Sequence, residues 1–300
     1  MTKTTKWVLA GIGTLFVLFL LFWGAVLYFL FSGDDEEESA GGTGGTVAVV
    51  ELKDEILSSE NIVRQFKKYR DNSSVKAIVF RVESPGGGVA ASQEIYEEVK
   101  KTRESGKPVV VSMGAVAASG GYYVSCGADK IMANPGTVTG SIGVISQFMN
   151  FNQLLGKVGV GTTTVKSGKF KDTGTPYREM TDEEKRYFQE TIDDVYQQFL
   201  SVVETERKLP HDVARRLADG RIYTGRKAYE VHLVDTLGTY EDAIALAARL
   251  GRVHGAPKIV KERKRERLSD ILFGSVTEQI VDLKQDLLHQ PMLQYKLTEP

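Results

Sequence analysis

A single cysteine, Cys126, stands in 300 residues. The chain can form no internal disulfide and no cysteine-rich zinc site. Histidine is almost as scarce, and His211, His232, His254 and His289 match no metal-ligand spacing. Nothing in the sequence calls for a metal or another cofactor. Charge of one sign is not in surplus either. Lys plus Arg is 38 and Asp plus Glu is 39, a net charge of −1. Nucleic-acid binders usually carry a basic excess, so no nucleic-acid partner is expected. No internal repeat appears at solenoid periods.

What is present is uneven. Hydrophobic residues make up 42% of the chain, and many are gathered at its start. Trp7 to Phe31 is 25 residues without a charged side chain. At about 1.5 Å per residue such a run crosses a hydrocarbon core of about 30 Å with some tilt. It is longer than the apolar region of a cleaved signal peptide, about 7–15 residues. Lys3 and Lys6 precede it, and an acidic run from Asp34 to Glu38 follows. The positive-inside rule then predicts a single-pass cell-membrane anchor with the N-terminus in the cytoplasm and the rest outside. The expected organisation is an anchor over 1–31, an acidic and Gly-rich flexible tether over 32–45, a folded domain over 46–257, and a tail over 258–300.

From Thr46 onward strand and helix signals alternate. Strands are expected over Val47–Leu52, Val75–Val82, Pro108–Met113 and Lys130–Ala133, and helices over Glu60–Arg70 and Ser92–Glu104. This pattern predicts an α/β domain with a largely parallel sheet. The strands are apolar with little alternation, which suits a sheet covered on both faces. Thr181 looks like the cap of a helix running to about Arg207, and a further helix is expected over Tyr240–Leu250. Lys258–Arg267 carries six basic and two acidic residues and reads as a solvated linker, with contact to anionic lipid as the rival. Beyond it, apolar spacing from Ile271 to Leu288 predicts a short amphipathic helix.

Two glycine-containing segments carry the chemical signal. Arg81–Gly88 ends in Ser-Pro-Gly-Gly-Gly between a strand and a helix. It lacks the Gly-Lys-Ser/Thr of a phosphate loop and the spacing of the dinucleotide fingerprint. Bare backbone N–H groups there suit an oxyanion site, and a tight turn explains the same glycines. Met113–Tyr123 crowds small residues around Ser119. Ala117 stands where a hydrolase elbow requires glycine. Ser119 either caps a helix or acts as a nucleophile beside a free N–H. Cys126, Tyr122 and Tyr123 read as packing residues or pocket wall.

Together Ser84–Gly88, Ala118–Tyr123, Gly136–Gly143, Ser167–Asp172 and Asp219–Gly225 resemble the SppA family of signal peptide peptidases in its short bacterial form. The resemblance covers about Thr46 to Leu250. It implies a ClpP/crotonase-like fold of repeated ββα units. It also implies a Ser-Lys dyad. Ser119 matches the nucleophile, Lys171 the general base, and Ser141 a serine that hydrogen-bonds the base. Gly120 and either Gly86 or Gly87 match the oxyanion donors. Lys166 and Lys169 are the rivals of Lys171. A lysine serves as base only where apolar surroundings favour its neutral amine, and Ser-Lys pairs are a known variant of triad logic. The implied activity is a membrane-bound serine endopeptidase that degrades released signal peptides and other apolar peptides through an acyl-enzyme. The family's short form implies a homo-oligomeric ring, with Ser119 and Lys171 meeting within one chain or between chains. The alternatives are a related peptidase that cleaves one stomatin-like partner, a crotonase-type acyl-CoA enzyme, and a non-catalytic scaffold.

Overall fold

The structure is a computed structural model that describes residues 3–31, 36–42, 44–263 and 293–297. Contacts divide the chain into two compact units, Met1–Glu38 with Lys261–Gln290, and Ser39–Val260 with Pro291–Pro300. The first unit contains α1 (Lys3–Phe31), a helix of 29 residues. Its side chains are described at Trp7 and over Gly11–Ala25, where they are exposed. Among the described residues no helix is long and apolar enough to cross a membrane. The helix expected over 271–288 lies outside the described residues.

The next elements are β1 (Glu36–Gly41), β2 (Thr46–Lys53), α2 (Glu60–Asp71), β3 (Val75–Ser84), β4 (Gly86–Gly88), α3 (Val89–Glu104), β5 (Val109–Ala118), α4 (Gly120–Ser125), β6 (Lys130–Ala133) and β7 (Val138–Gly140). Then follow α5 (Asn152–Lys157), α6 (Asp182–Arg207), α7 (His211–Leu217), β8 (Ile222–Thr224), α8 (Gly225–Glu230), β9 (Thr236–Leu237), α9 (Tyr240–Leu250), β10 (Lys258–Arg263) and β11 (Gln294–Lys296). The main sheet runs in the order β1-β10-β2-β3-β5-β6-β9. Strands β2, β3, β5, β6 and β9 pair in parallel. The expected α/β architecture is therefore present, and β3–β4–α3 supplies one ββα unit in order.

Both faces of the sheet are covered, and the side-chain alternation of the strands divides the core. Ile78, Phe80 and Val82 of β3 point into one cluster with Phe66 of α2 and Phe199 of α6. Ala77 and Val79 point into the other, against Ala243, Ile244 and Ala247 of α9. The helix termini obey their sequence signals. Thr181 and Glu184 form a complete capping box at α6, Thr239 and Asp242 another at α9, and Gly251 ends α9.

Three segments depart from expectation. The tether 32–45 contains strand β1, and the basic linker contains strand β10. Pairing satisfies backbone N–H and C=O groups whatever the side chains are, so composition alone hid both. Strand β5 extends five residues beyond Met113, through Gly114–Ala118. Small side chains there let β7 and the β3 end approach closely.

Phe66 is fully buried and meets Phe80 edge to face, with ring centroids 5.1 Å apart. Phe66→Ala is expected to lower the unfolding free energy by about 3–5 kcal/mol. Urea denaturation measures this, and a loss under about 1 kcal/mol would contradict the packing described.

Candidate active site

Three neighbouring strands end at one place. Ser84 of β3 pairs with Ala117 of β5, and Ala118 of β5 pairs with Gly140 of β7. Open α/β sheets bind ligands at these carboxyl ends. Ser119 and Ser141 are the residues immediately after two paired strand ends. Two buried threonines hold that register, since Thr137 Oγ1 donates to Gly114 O (2.8 Å) and Thr139 Oγ1 to Ala117 O (2.7 Å).

Ser119 turns the chain from β5 into α4 with φ 53° and ψ −114°. For a residue with a Cβ this costs about 1–3 kcal/mol. Its N–H donates to Gly140 O at 2.7 Å, and its carbonyl accepts from Tyr123 N–H at 2.8 Å. The side chain makes no capping bond, so the cap reading fails. Ser119 is 1% exposed, and among the described residues its Oγ is buried without a hydrogen-bond partner. An unsatisfied buried hydroxyl is itself unfavourable by about 1–3 kcal/mol. Strain and an unmade hydrogen bond coincide at one residue. Ser141 also adopts a positive φ, 50°, and its N–H donates to Arg221 O at 2.8 Å.

The glycines around Ser119 are fixed by contact. A Cβ on Gly121 would stand 2.7 Å from Ser84 O, and one on Gly120 would stand 3.1 Å from Gly86 Cα. Gly86 has φ +105°, and a Cβ there would lie 2.7 Å from Gly120 N. The two loops touch through bare backbone. The two candidate donors of the first loop are separated by their bonds. Gly86 N–H donates to Ser84 Oγ at 3.1 Å. Gly87 stands opposite Tyr295 of β11 in an antiparallel pair. Leu297 N–H donates to Pro85 O (2.8 Å) and Val89 N–H to Leu293 O (3.4 Å). By the alternation of an antiparallel ladder, Gly87 and Tyr295 then occupy a hydrogen-bonding position. Gly120 N–H opens α4, where no helical carbonyl is available to it.

Beside Ser141 lies a cavity of about 500 Å³, lined in part by Ile145, Ile192, Tyr196, Asp219 and Lys296. Lys171 sits apart from these groups. It is exposed, and its N–H donates to Gly168 O at 3.2 Å. Among the described residues its side chain makes no ion pair, whereas Lys166 binds Asp172 and Lys169 binds Glu183. The structure thus brings together Ser119, Ser141, Gly86, Gly87 and Gly120, and does not join Lys171 to Ser119 within the chain.

The segment carrying Lys171 is anchored by Arg178, which binds both Asp172 and Glu184. Arg178, with Lys166, holds the Asp172 carboxyl well below its ordinary range. Arg178, with the Thr181 N–H, does the same for Glu184. Cys126 is a buried packing residue, and burial pushes its thiol up to about 12. Tyr122 is core, its hydroxyl on Leu233 O (2.9 Å). Tyr123 is pocket wall, meeting Phe199 and Tyr295. Tyr295 is the residue that sequence reasoning missed. The alternation of Leu293 and Tyr295 about polar Gln294 was its only signal.

The profile described as peptidase family S49 matches residues 101–254, and the Clp protease profile matches residues 47–138. A protease-named protein of Synechocystis sp. is 45% identical over 205 residues, 68% of this chain and 74% of its own. An Enterococcus faecium protein bearing the name signal peptide peptidase SppA is 42% identical over 63% of this chain and 55% of its own. Protease 4 of Haemophilus influenzae is 34% identical over 81% of this chain and 38% of its own. The chain therefore spans little more than half, or less, of the latter two. Among solved structures, a ClpP1 mutant of Listeria monocytogenes aligns with a TM-score of 0.45 and 16% identity, covering 65% of this chain and 94% of that one.

Because both carboxyls are depressed in the folded chain, the Arg178 cluster stabilises fully above about pH 5 and weakens as pH falls below about 4. Arg178→Gln is expected to speed limited proteolysis between residues 146 and 181 at pH 7. The difference from wild type should shrink on acidification. Equal cleavage rates at pH 7 would contradict the anchoring role.

Proposed function

The chain belongs to peptidase family S49, and from that premise we propose that it is a membrane-anchored serine endopeptidase working through a Ser119–Lys171 dyad. The observation that carries this reading is the Ser119 hydroxyl, strained in backbone, buried, and without a partner among the described residues. A hydroxyl is a weak nucleophile until a base takes its proton. Lys171 is the base, because Lys166 and Lys169 are held in ion pairs. Ser119 Oγ attacks the peptide carbonyl as its proton passes to Lys171 Nζ. The developing oxyanion is met by the N–H groups of Gly120 and Gly87, the latter released from its pairing with Tyr295. Collapse releases the amine, protonated by Lys171, and leaves an acyl-enzyme on Ser119. Water, deprotonated by Lys171, then attacks the acyl carbon and restores the serine. Ser141, one residue past the strand end that pairs with Ala118, orients the lysine.

A lysine works as a base only when removed from water. Lys171 is exposed in one chain, and apolar side chains stay exposed on the same stretch, among them Met149, Leu154, Val158 and Val165. Assembly of copies into a ring covers that stretch and delivers Lys171 to a neighbour's Ser119. The anchor in the cell membrane, beside apolar peptides such as released signal peptides, rests on the uncharged sequence run Trp7–Phe31 and not on the described helix α1.

Hydrolysis of an apolar fluorogenic peptide by the full chain, from pH 6 to 10, tests this. Ser119→Ala and Lys171→Ala are each expected to lose about 10³-fold or more in kcat/KM while remaining folded. Mixing the two inactive variants should restore partial activity, because some sites then combine an intact serine with an intact lysine. Activity that survives Lys171→Ala would overturn the dyad. Failure of the mixture to recover would place both residues in one chain.

A further inference from the structure

We infer that Asp219 is a positioning residue for Ser141: its carboxylate folds the turn at 219–221, and that turn fixes Ser141 where the base lysine meets it. The inference rests on the proposed dyad, in which Ser141 orients Lys171, and deepens it.

The motif at 219–225 supplies no group to the dyad, yet it forms an outer edge of the site. Strand β7 has two edges. One pairs with β5, and there Gly140 O takes the Ser119 N–H. The other pairs antiparallel with β8, Gly140 opposite Ile222. The ladder continues past both strand ends. Ser141 N–H donates to Arg221 O at 2.8 Å, and Gly220 N–H donates to Ile142 O at 3.1 Å. These two bonds bracket Ser141. They hold it at φ 50°, a conformation that a residue with a Cβ keeps only where its surroundings over-determine it.

Asp219 holds the two residues that make these bonds. Its Oδ1 accepts from Arg221 N–H at 3.2 Å, the local side-chain-to-backbone bond of an Asx turn. Gly220, between them, has φ +87°, and a Cβ there would meet no atom within 4 Å. Glycine is needed there for backbone freedom alone. The Arg221 guanidinium also returns to the carboxylate, with Nε 2.7 Å from Oδ1 and 2.9 Å from Oδ2. Both side chains are exposed, and an exposed pair contributes little through charge. The oxygen on the Arg221 N–H is therefore what shapes the turn. Fixed points lie on either side of it. Tyr196 donates its hydroxyl to Ala218 O at 2.8 Å. Tyr223 donates its own to Leu217 O at 3.0 Å and lies against Gly140, where a Cβ would stand 2.5 Å from its ring. Asp219 and Gly220 also border the cavity beside Ser141. Substrate binding is thus the rival role, and it predicts a change in KM instead of kcat.

The test compares full-length wild type, Asp219→Ala, Asp219→Asn and Gly220→Ala. Kinetics are read with an apolar fluorogenic peptide, and hydrogen exchange of segments 138–145 and 216–223 by mass spectrometry. Asparagine keeps the oxygen acceptor and drops the charge. Alanine at 219 drops both, and alanine at 220 keeps the carboxylate but strains the turn. Asp219→Ala and Gly220→Ala should each lower kcat about tenfold, with KM within about twofold of wild type. Asp219→Asn should recover most of that loss. Exchange in both segments should quicken in the two alanine variants and not in Asp219→Asn, with the rest of the chain exchanging as in wild type. A raised KM at unchanged kcat would make Asp219 a binding residue and overturn the inference. So would equal losses in Asp219→Asn and Asp219→Ala, or unchanged exchange in Asp219→Ala. Each of these leaves the peptidase reading standing while wild type is active and Ser119→Ala is not. If wild type hydrolyses no peptide, the peptidase reading fails, and exchange alone decides whether Asp219 holds Ser141 in place.

Discussion

The bond from Ser119 N–H to Gly140 O is the constraint from which the site follows. It exists because β5 and β7 run parallel and in register to their last residues. It holds Ser119 in a backbone conformation that a serine does not choose, and the hydroxyl makes no capping bond to the helix it precedes. The glycines on either side have the same origin. With Ser119 turned in this way, α4 starts against the Ser84–Gly86 loop, and any Cβ at Gly120 or Gly121 would strike that loop. The Ala-Ser-Gly-Gly and Ser-Pro-Gly-Gly-Gly motifs are two halves of one contact. The Gly120 N–H beside one strained hydroxyl is a donor already in place, and the proposed oxyanion stabilisation draws on such preorganised donors.

Much of the frame was legible beforehand. The β-branched runs of β2 and β3 and the apolar spacing of α2 and α9 gave elements close to their observed bounds, and a capping box and Gly251 mark the ends of α9. The ends of the sheet were not legible. Strand β5 continues through Gly114–Ala118, residues too small to show a strand pattern, and its continuation is what sets Ser119 at the junction. Strands β1 and β10 lie in segments whose charge and glycine content resemble solvated linkers. Pairing with a neighbour, which a linear sequence does not display, makes them strands.

The candidate site shows the same division. Ser119, Ser141 and the glycines are drawn together by local register and could be picked from motifs. The separation of Gly86 from Gly87 required the hydrogen bonds, since Ser84 Oγ takes the first N–H. Lys171 was chosen by its motif. Its two neighbouring rivals are bound to carboxylates. In the proposed reading, its exposure on an anchored segment leaves the base to be brought to the nucleophile by assembly. Tyr295 stayed hidden because three residues of strand carry no period of their own. Pairing with β4 and Ile145 gives that segment its conformation.

The most direct measurement is covalent. The full chain is treated with a small serine-directed fluorophosphonate, its intact mass is recorded, and the adduct is located by peptide mapping. The account predicts one adduct per chain, on Ser119, formed by the folded protein and lost on unfolding. An adduct on Ser141 or another serine, or no adduct on a folded and assembled chain that hydrolyses peptides, would contradict it.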